Sequence, residues 1–432
     1  MKAALLEKIN ELPSLDKKAK KRILVLISEG GGGHKVAGES LRDTLSEEYD
    51  VKVVNILTEI TCSLDFLQTM TFGMFTAEDL YNFMLRKGYH RLANMIFVTL
   101  GNKYMQLNQE RINKHFDDYL SQKQNAYDLV ISTVPYFNGG IAKALQKRDL
   151  PFLILPTDLD TSTFFLGMKK NQFKEEDKIA FAFPYDDADL KKKGLRTGVF
   201  PLSKIFISGF PVRESCQKVY SPEEVLLLKL KHGMHAGRQT LTLILGASGN
   251  KKLLQYTQML ATLKNSDFET PLEFNICVGK NEQASRSILK WFLDKGAILQ
   301  KQDPAFTSIK TSGGLLFHIR KFTGDLIEIM ACSKLIITKT GSCSVNEAIY
   351  LGKKLLLDNT SSSSARYLLW ETFNLHFVRK HGLGAVFCDL PEMLSLIQTT
   401  FAEDLGHPVS SGAFFLPDFQ ANIKEVVFKL LT

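Results

Sequence analysis

The sequence predicts an α/β protein built from two doubly wound domains in series. Short apolar runs rich in β-branched residues, without polar alternation, recur between helix-length segments, which is the pattern of buried parallel strands. The pattern restarts in the second half, and 432 residues are too many for one core. We therefore predict a first domain over residues 1–210 and a second over 211–432, with the joint between Pro211 and Gln239. The last helix is expected to pack back on the first domain.

The predicted strands follow directly from these apolar runs. In the first half they are Ile23–Ile27, Val51–Leu57, Leu129–Val134, Phe152–Leu155 and Ile205–Ile207. In the second half they are Leu241–Leu245, Phe274–Val278, Leu335–Thr338, Leu355–Leu357 and Ala385–Cys388. Helices are expected between them, because a parallel pair of strands needs a long crossover connection.

Composition and charge limit the class of protein. With 44% hydrophobic and 23% charged residues the chain is typical of folded proteins. No apolar run reaches the ~18 residues that cross a bilayer, and residues 1–12 lack a signal-peptide pattern, so a cytoplasmic protein is expected. The six dispersed cysteines predict reduced thiols and no metal site. The basic runs Lys17–Arg22 and Lys191–Lys193 indicate either a solvated surface or attraction to anionic lipid or nucleic acid.

A glycine-rich stretch, SEGGGGHKVAGESL (Ser28–Leu41), joins the first strand to a helix. Glycines permit positive φ and close ligand approach, and a helix N-terminus offers free N–H groups, so this loop is a candidate anion or sugar-phosphate site. The dinucleotide fingerprint is excluded because its spacing must be forced and Asn55 replaces the expected acidic residue, and the P-loop pattern is missing. His34 is either a proton-transfer group that faces the cleft or a helix-start histidine that only binds the loop.

Two loops in the second half repeat this arrangement. Small residues and hydroxyls at a helix start suit a diphosphate, and a carboxylate farther along the helix can hold a ribose diol. Together the loops indicate a nucleotide-linked donor on the second domain and an acceptor on the first. The residues concerned are Gly246, Ser248 and Gly249 in LILGASGNKKL, and Lys339, Thr340, Gly341, Ser342 and Glu347 in LIITKTGSCSVNEAIYLGK.

An unusually long insertion, roughly Thr58–Ala126, separates the second and third strands. It is rich in Phe, Met and Tyr, and a crossover of this length needs a purpose beyond joining strands. It is either a set of helices that covers one sheet face or an amphipathic element that lies on a membrane or accepts an acyl chain. Its basic residues are Arg86, Lys87, Arg91 and Lys103.

The order of these motifs resembles the diacylglycerol glycosyltransferases that make monogalactosyl- or glucosyl-diacylglycerol. It resembles more distantly the glycosyltransferase that makes peptidoglycan lipid II; both belong to the inverting GT-B enzymes of glycosyltransferase family 28. The likeness runs from about Arg22 to Asp389 and is carried by SEGGGGHKVAGESL, YDLVISTVPYF, LPTDLDTSTFF, ISGFPVRESC and RKFTGDLIEIMACSKLIITKTGSCSVNEAIYLGK. It implies two Rossmann-like domains facing a cleft, and transfer of a hexose from a UDP-sugar to a lipid hydroxyl of diacylglycerol at the inner face of the cell membrane.

The resemblance also implies roles for individual residues. His34 would be the catalytic base on the acceptor side, with Asp158 as the alternative, and Gly32, Gly33 and Tyr136 would border the acceptor. Two of the donor-binding assignments have alternatives: Phe322 could instead pack in the core, and Arg213 could instead form a surface ion pair. The implied donor-binding residues are Arg213, Gly246, Ser248 and Gly249 at the diphosphate, Phe322 and Thr323 at the uracil, Thr340, Gly341 and Ser342 at phosphate, Glu347 at the ribose and Ser364 at the sugar.

The chain departs from the family where the donor sugar is held. Ser364 and Ala365 stand in place of the family's Gln/Glu pair, and a serine hydroxyl selects a sugar less sharply, so the sugar stays open. KTGSCS also lacks the family's proline and second glycine. The expected partners are a UDP-sugar, a lipid acceptor and an anionic membrane surface, without nucleic acid, metal or a further cofactor. The alternatives are a polyprenyl-linked or non-lipid acceptor, a non-catalytic GT-B binding module and a UDP-sugar epimerase.

Overall fold

Two β-sheets organise the chain. The structure is a computed structural model that describes residues 19–30, 32–87, 89–246, 252–360, 369–402 and 414–432. The first sheet is six-stranded and parallel, in the order β2-β1-β3-β4-β5-β6. Its strands are β1 (Arg22–Ile27), β2 (Asp50–Asn55), β3 (Leu129–Ser132), β4 (Phe152–Ile154), β5 (Ile179–Phe183) and β6 (Ile205–Ile207).

The second sheet is eight-stranded, in the order β14-β13-β12-β7-β8-β11-β10-β9. Its strands pair in parallel except at β10, which is antiparallel to both of its neighbours. The strands are β7 (Gln239–Ile244), β8 (Leu272–Gly279), β9 (Ile298–Gln302), β10 (Phe306–Lys310), β11 (Leu316–Lys321), β12 (Leu335–Thr338), β13 (Lys354–Asp358) and β14 (Gly384–Phe387).

Helices connect the strands and cover both sheets. In the first half, α1 follows β1, α2 to α6 form the insertion between β2 and β3, and α7 and α8 follow later strands. The helices are α1 (Gly33–Leu45), α2 (Phe66–Met70), α3 (Ala77–Lys87), α4 (His90–Ala93), α5 (Asn102–Leu107), α6 (Gln109–Leu120), α7 (Asn138–Lys147) and α8 (Ala188–Leu195). In the second half they are α9 (Glu214–Gln217), α10 (Pro222–Lys231), α11 (Lys252–Leu260), α12 (Glu282–Asp294), α13 (Leu326–Ala331), α14 (Ser342–Tyr350), α15 (Thr372–Lys380), α16 (Leu390–Ala402) and α17 (Phe419–Leu431).

The strand predictions from apolar runs are confirmed in position, but the predicted strands Val51–Leu57 and Leu129–Val134 are each two residues too long at the carboxyl end. The predicted strand Val51–Leu57 ends at Asn55, because the Asn55 side chain accepts a hydrogen bond from the Leu57 amide and starts a π-helical turn over Ile56–Ile60. A second π-helical turn, Asn94–Gly101, joins α4 to α5. The insertion therefore begins in a helical turn rather than in an extension of β2.

The last helix, α17, lies against the first sheet. Phe419, Ile423 and Val427 are buried in one cluster with residues of β1, including Ile23 and Val25.

Between the sheets, β6 ends at Ile207 and β7 begins at Gln239, so the connection spans the predicted joint. The division at residues 210 and 211 stays a prediction.

Candidate active site

A cavity of about 470 Å³ lies between the helical insertion and the carboxyl ends of the first sheet's strands. Aliphatic and aromatic side chains from the insertion form most of its wall, among them Leu64, Ile96, Phe97 and Leu100. Its polar lining includes His34, Tyr136 and Asp158, and the second half of the chain contributes Trp370. The cavity thus offers an apolar compartment that reaches the predicted catalytic residues.

His34 lies in the first turn of α1, directly after the glycine loop. Its Nδ1 lies 2.8 Å from the carbonyl oxygen of Thr133 and 2.9 Å from Thr157 Oγ1. Because a carbonyl only accepts, the Nδ1 position carries the proton and Nε2 keeps its lone pair. Burial lowers the pKa of His34 to about 4, against a smaller opposing effect of the Thr133 bond. The ring is therefore neutral at pH 7 and able to take a proton.

Asp158 follows β4 and reaches the second half of the chain. Its Oδ1 accepts a hydrogen bond from Ser342 Oγ over 2.9 Å. Burial raises the pKa of Asp158 to about 7, the Ser342 bond opposes this shift, and Glu371 and Asp160 add repulsion. Asn374 Nδ2 in turn donates to Ser342 Oγ over 3.1 Å. The two catalytic candidates named from the sequence thus line one cavity, and one of them contacts a predicted donor-binding residue.

The glycine loop is anchored by a protein carboxylate. The backbone N–H groups of Glu29 and Gly30 donate to Glu78 Oε1, over 2.5 Å and 3.2 Å. These two donors therefore serve Glu78 of α3 rather than a ligand phosphate. A Cβ on Gly32 would meet no atom within 4 Å, and one on Gly33 would lie 3.9 Å from Cys343 Cβ, so this part of the loop faces open space near the second half. Gly31 lies outside the described residues.

Arg213 and Glu347 form an ion pair with each other. Arg213 Nη1 lies 2.5 Å from Glu347 Oε1, and the Glu347 side chain is only 2% exposed. Burial raises the pKa of Glu347, and the Arg213 charge opposes that shift. Arg213 therefore does take part in an ion pair, but its partner is buried, so this is not the surface ion pair named as the alternative. Contact of Arg213 with a diphosphate and of Glu347 with a ribose stays a prediction.

Phe322 is 58% exposed, so core packing does not account for it. Lys280 Nζ lies 5.0 Å above the centre of its ring, which leaves an aromatic surface beside a cation. The adjacent Thr323 accepts a hydrogen bond from the Asp325 amide at the start of α13. Such an exposed ring is suited to stack on a planar base, which keeps the predicted uracil contact open as a prediction.

Thr340, Gly341 and Ser342, three of the other predicted donor residues, lie at the start of α14. Gly341 is its N-cap, and Thr340 Oγ1 donates to Glu371 Oε2 over 3.2 Å. Gly246 follows β7 with φ of +97°, a conformation that side chains rarely adopt. Ser248, Gly249 and Ser364 lie outside the described residues.

Glu78, Glu371 and Trp370 were not identified from the sequence. Trp370 stacks on Tyr81 of the insertion, with ring centres 6.4 Å apart and planes at 26°. Lys339 Nζ lies 3.6 Å from Glu371 Oε1, so the segment that carries Trp370 is tied to the predicted phosphate loop. No local sequence pattern predicts such contacts, because each contact joins segments that are distant along the chain.

The insertion exposes several large apolar side chains. Six of them, which we refer to together as the apolar patch, are Phe66, Met70, Phe72, Met74, Leu100 and Leu107. Phe72 is 93% exposed and Met74 83% exposed. The basic residues Lys87, Arg91 and Lys103 are exposed in the same insertion, while the side chain of Arg86 lies outside the described part. In the described ranges, no helix has both the length and the apolar character that would let it cross a bilayer.

Two parallel-stranded α/β units that meet at a cleft define the GT-B fold, and solved structures agree. The match to MurG from Acinetobacter baumannii covers 95% of this chain and 99% of the MurG chain, with 14% identity and a TM-score of 0.52. UDP-GlcNAc 2-epimerase from Neisseria meningitidis was solved with bound UDP-GlcNAc. The match covers 95% of this chain and 100% of the epimerase chain, with 13% identity and a TM-score of 0.53. The predicted fold class is confirmed. Because an epimerase shares it, the fold alone does not select the reaction.

Among curated proteins the chain is similar to monogalactosyldiacylglycerol synthases. It is 24% identical over 395 residues to chloroplastic monogalactosyldiacylglycerol synthase 1 of Arabidopsis thaliana, which covers 87% of this chain. It is 22% identical over 379 residues to a probable chloroplastic monogalactosyldiacylglycerol synthase of Nicotiana tabacum, and this match covers 84% of the present chain. The matches span 64% and 61% of those relatives' own lengths. No family model matches the chain. The resemblance inferred from the motifs is confirmed by these relatives.

Proposed function

We propose that the protein is an inverting glycosyltransferase that moves a hexose from a UDP-sugar to the hydroxyl of diacylglycerol. The observation that carries this proposal is a mainly apolar cavity that is also lined by His34 and Asp158, with Asp158 hydrogen-bonded to Ser342 at the start of α14. An acyl chain is expected to occupy the apolar wall, which would bring its headgroup hydroxyl to His34 and Asp158. The relatives' names, monogalactosyldiacylglycerol synthases, add support for this acceptor.

The proposed displacement divides the work between the two halves. The acceptor oxygen attacks the anomeric carbon, the bond from that carbon to the diphosphate breaks, and the acceptor proton passes to Nε2 of His34. The leaving UDP gains negative charge, which the N-terminus of α14 and Arg213 would stabilise. The inverted configuration follows from attack opposite the leaving group. We propose no metal and no cofactor besides the donor.

We also propose that the protein acts while bound peripherally to an anionic membrane at the inner face of the cell membrane. The apolar patch of the insertion would enter the lipid interface, and Lys87, Arg91 and Lys103 would face anionic headgroups. The patch belongs to the same insertion that lines the cavity, so a lipid could pass from membrane to site without crossing water.

The test is transfer of label by the purified protein. Vesicles of anionic phospholipid with diacylglycerol are incubated separately with radiolabelled UDP-glucose, UDP-galactose and UDP-GlcNAc, and the lipids are separated by thin-layer chromatography. Label in a glycosyl-diacylglycerol supports the proposal, and the productive sugar identifies the donor. Label only in a polyprenyl-linked or water-soluble acceptor, supplied in parallel, would replace diacylglycerol as the substrate. UDP binding without any turnover would indicate a binding module.

An epimerase is the second candidate, because a UDP-GlcNAc 2-epimerase shares the fold. It predicts interconversion of the UDP-sugar in the absence of acceptor. Chromatography of the nucleotide fraction from the same incubations distinguishes it, since a transferase leaves the remaining donor unchanged.

A further inference from the structure

Glu78 connects the helical insertion to the glycine loop. It is the second residue of α3 and only 8% exposed. Its Oε1 accepts hydrogen bonds from the Glu29 and Gly30 amides, and its Oε2 accepts one from Asn55 Nδ2 over 3.1 Å. One carboxylate therefore joins three segments: the insertion, the loop after β1 and the end of β2.

The orientation of the Asn55 amide is fixed independently. Asn55 Oδ1 accepts from the Leu57 amide over 3.0 Å, so Nδ2 must be the group that faces Glu78. All three partners of Glu78 are then donors, and an ionised carboxylate, which only accepts, satisfies them together. Asn55 stands where a dinucleotide-binding protein would carry an acidic residue, and here its side chain serves this internal contact instead.

The anchored loop leads directly to His34. Glu78 fixes the loop at Glu29 and Gly30, and Thr133 fixes the His34 ring by its Nδ1. A shift of the loop would move Nε2 relative to the cavity, and misplacement by about 1 Å is enough to slow a reaction by as much as 100-fold. The insertion that carries Glu78 also forms the apolar wall.

We propose that Glu78 is a positioning residue that sets His34 only when the insertion is docked, so that the acceptor cavity and the base are assembled together. The role assigned to His34 rests on the proposed function, whereas the anchoring of the loop does not. In this arrangement the insertion is more than a cover for the sheet, because its docking fixes the catalytic loop.

The test uses the donor and acceptor pattern of the contact. E78Q replaces the carboxylate oxygen that faces Asn55 by an amide NH2 group. Two hydrogen-bond donors, this group and Asn55 Nδ2, would then face each other. The double variant E78Q/N55D restores one acceptor and one donor, retains the net charge and still accepts from the Leu57 amide. E59Q is the matched control, since exposed Glu59 accepts from the Asn55 backbone amide over 3.1 Å. N55A, which removes one of the contacts, is the milder variant should E78Q not fold.

Two readouts are measured on each variant: amide hydrogen exchange over residues 28–36, and transfer kinetics. E78Q is expected to exchange these amides at least about tenfold faster and to lower kcat at least about tenfold, with KM for the UDP-sugar within about twofold of wild type. N55A should show smaller changes in the same direction, E78Q/N55D should return towards wild type, and E59Q should match it.

Unchanged loop exchange in E78Q or N55A would overturn the proposal. Faster exchange with unchanged kcat would also overturn it, as would a folded E78Q/N55D that shows no recovery. If wild-type protein transfers no sugar to any acceptor, the proposed function fails, and hydrogen exchange alone then decides whether Glu78 anchors the loop.

Discussion

Ser342 donates a hydrogen bond to Asp158 across the boundary between the two halves of the chain, with Oγ and Oδ1 2.9 Å apart. Ser342 begins a helix of the second half, and Asp158 lines the cavity of the first half. The contact places the proposed donor loop beside a residue that lines the proposed acceptor site. The reaction we propose would therefore take place where this bond is made.

The pH dependence of transfer distinguishes the two candidate bases. Burial lowers the pKa of His34 to about 4 and raises that of Asp158 to about 7. A base acts in its deprotonated form, so with His34 as base the kcat/KM should stay high as pH falls through 7 and drop only near pH 4. The measurement is kcat/KM from pH 4 to 9, with each sample also returned to pH 7 to correct for unfolding.

D158N is the companion variant in that experiment. It is expected to retain the decline near pH 4, because His34 is still present. A wild-type decline near pH 7 that disappears in D158N would instead assign proton transfer to Asp158 and contradict our choice of base.

Trp370 is expected to contribute to acceptor binding although it belongs to the second half. Its ring stacks on Tyr81 and lines the cavity. W370A removes an apolar ring from the cavity wall, so we expect KM for the acceptor to rise about three- to tenfold, which corresponds to about 1 kcal/mol, and the Kd of UDP to stay unchanged. F428A, at a 61% exposed ring of α17, is the control and should change neither constant. A rise in the Kd of UDP with constant acceptor KM would reject this role.

The apolar patch is expected to hold the protein on membranes. The double variant F72S/M74S replaces two of its most exposed side chains and should weaken binding to anionic vesicles about tenfold or more in a flotation assay. Val219, 92% exposed outside the insertion, provides the control V219S. Equal flotation of F72S/M74S and wild type would show that another surface binds the membrane.

The glycines around the loop differ in what a side chain would meet. A Cβ on Gly38 would lie 2.6 Å from Ile27 Cγ2 and 3.1 Å from Val53 Cγ1, so G38A would force α1 away from the sheet. We expect a loss of about 1–3 kcal/mol in unfolding free energy, against about 0.5 kcal/mol or less for G32A, which meets open space. Urea denaturation of both variants is the measurement, and equal losses would contradict this packing argument.

Continuous apolar runs located the parallel strands well. Ile205–Ile207 and Leu335–Thr338 coincide with β6 and β12. β12 is buried on both faces and therefore carries few polar residues, whereas β6 is a half-buried edge strand that is nevertheless wholly apolar. The prediction omitted β5 and the three strands β9 to β11. β9 is exposed along its whole length, and β11 buries His318 and Arg320, whose polar side chains interrupt an apolar pattern. Arg320 is satisfied by the Asn275 side chain and the His232 carbonyl, which are distant in sequence.

The site could be predicted only where a local motif carries it. The glycine loop identified His34, and the loop before α14 identified Ser342. The hydrogen bond between Asp158 and Ser342 joins positions 184 apart, and the Glu78 anchor joins positions 49 and 48 apart, so neither follows from local spacing. These contacts arise from the way the insertion and the second half close over the first sheet.

The H34A variant removes the proposed catalytic base. Glycolipid formation from the UDP-sugar and diacylglycerol is measured for wild type and H34A, together with UDP binding by calorimetry. We expect kcat to fall about 100- to 10,000-fold in H34A, with the Kd of UDP within about twofold of wild type. Wild-type rates in H34A, with UDP binding intact, would contradict the assignment of His34 as the base.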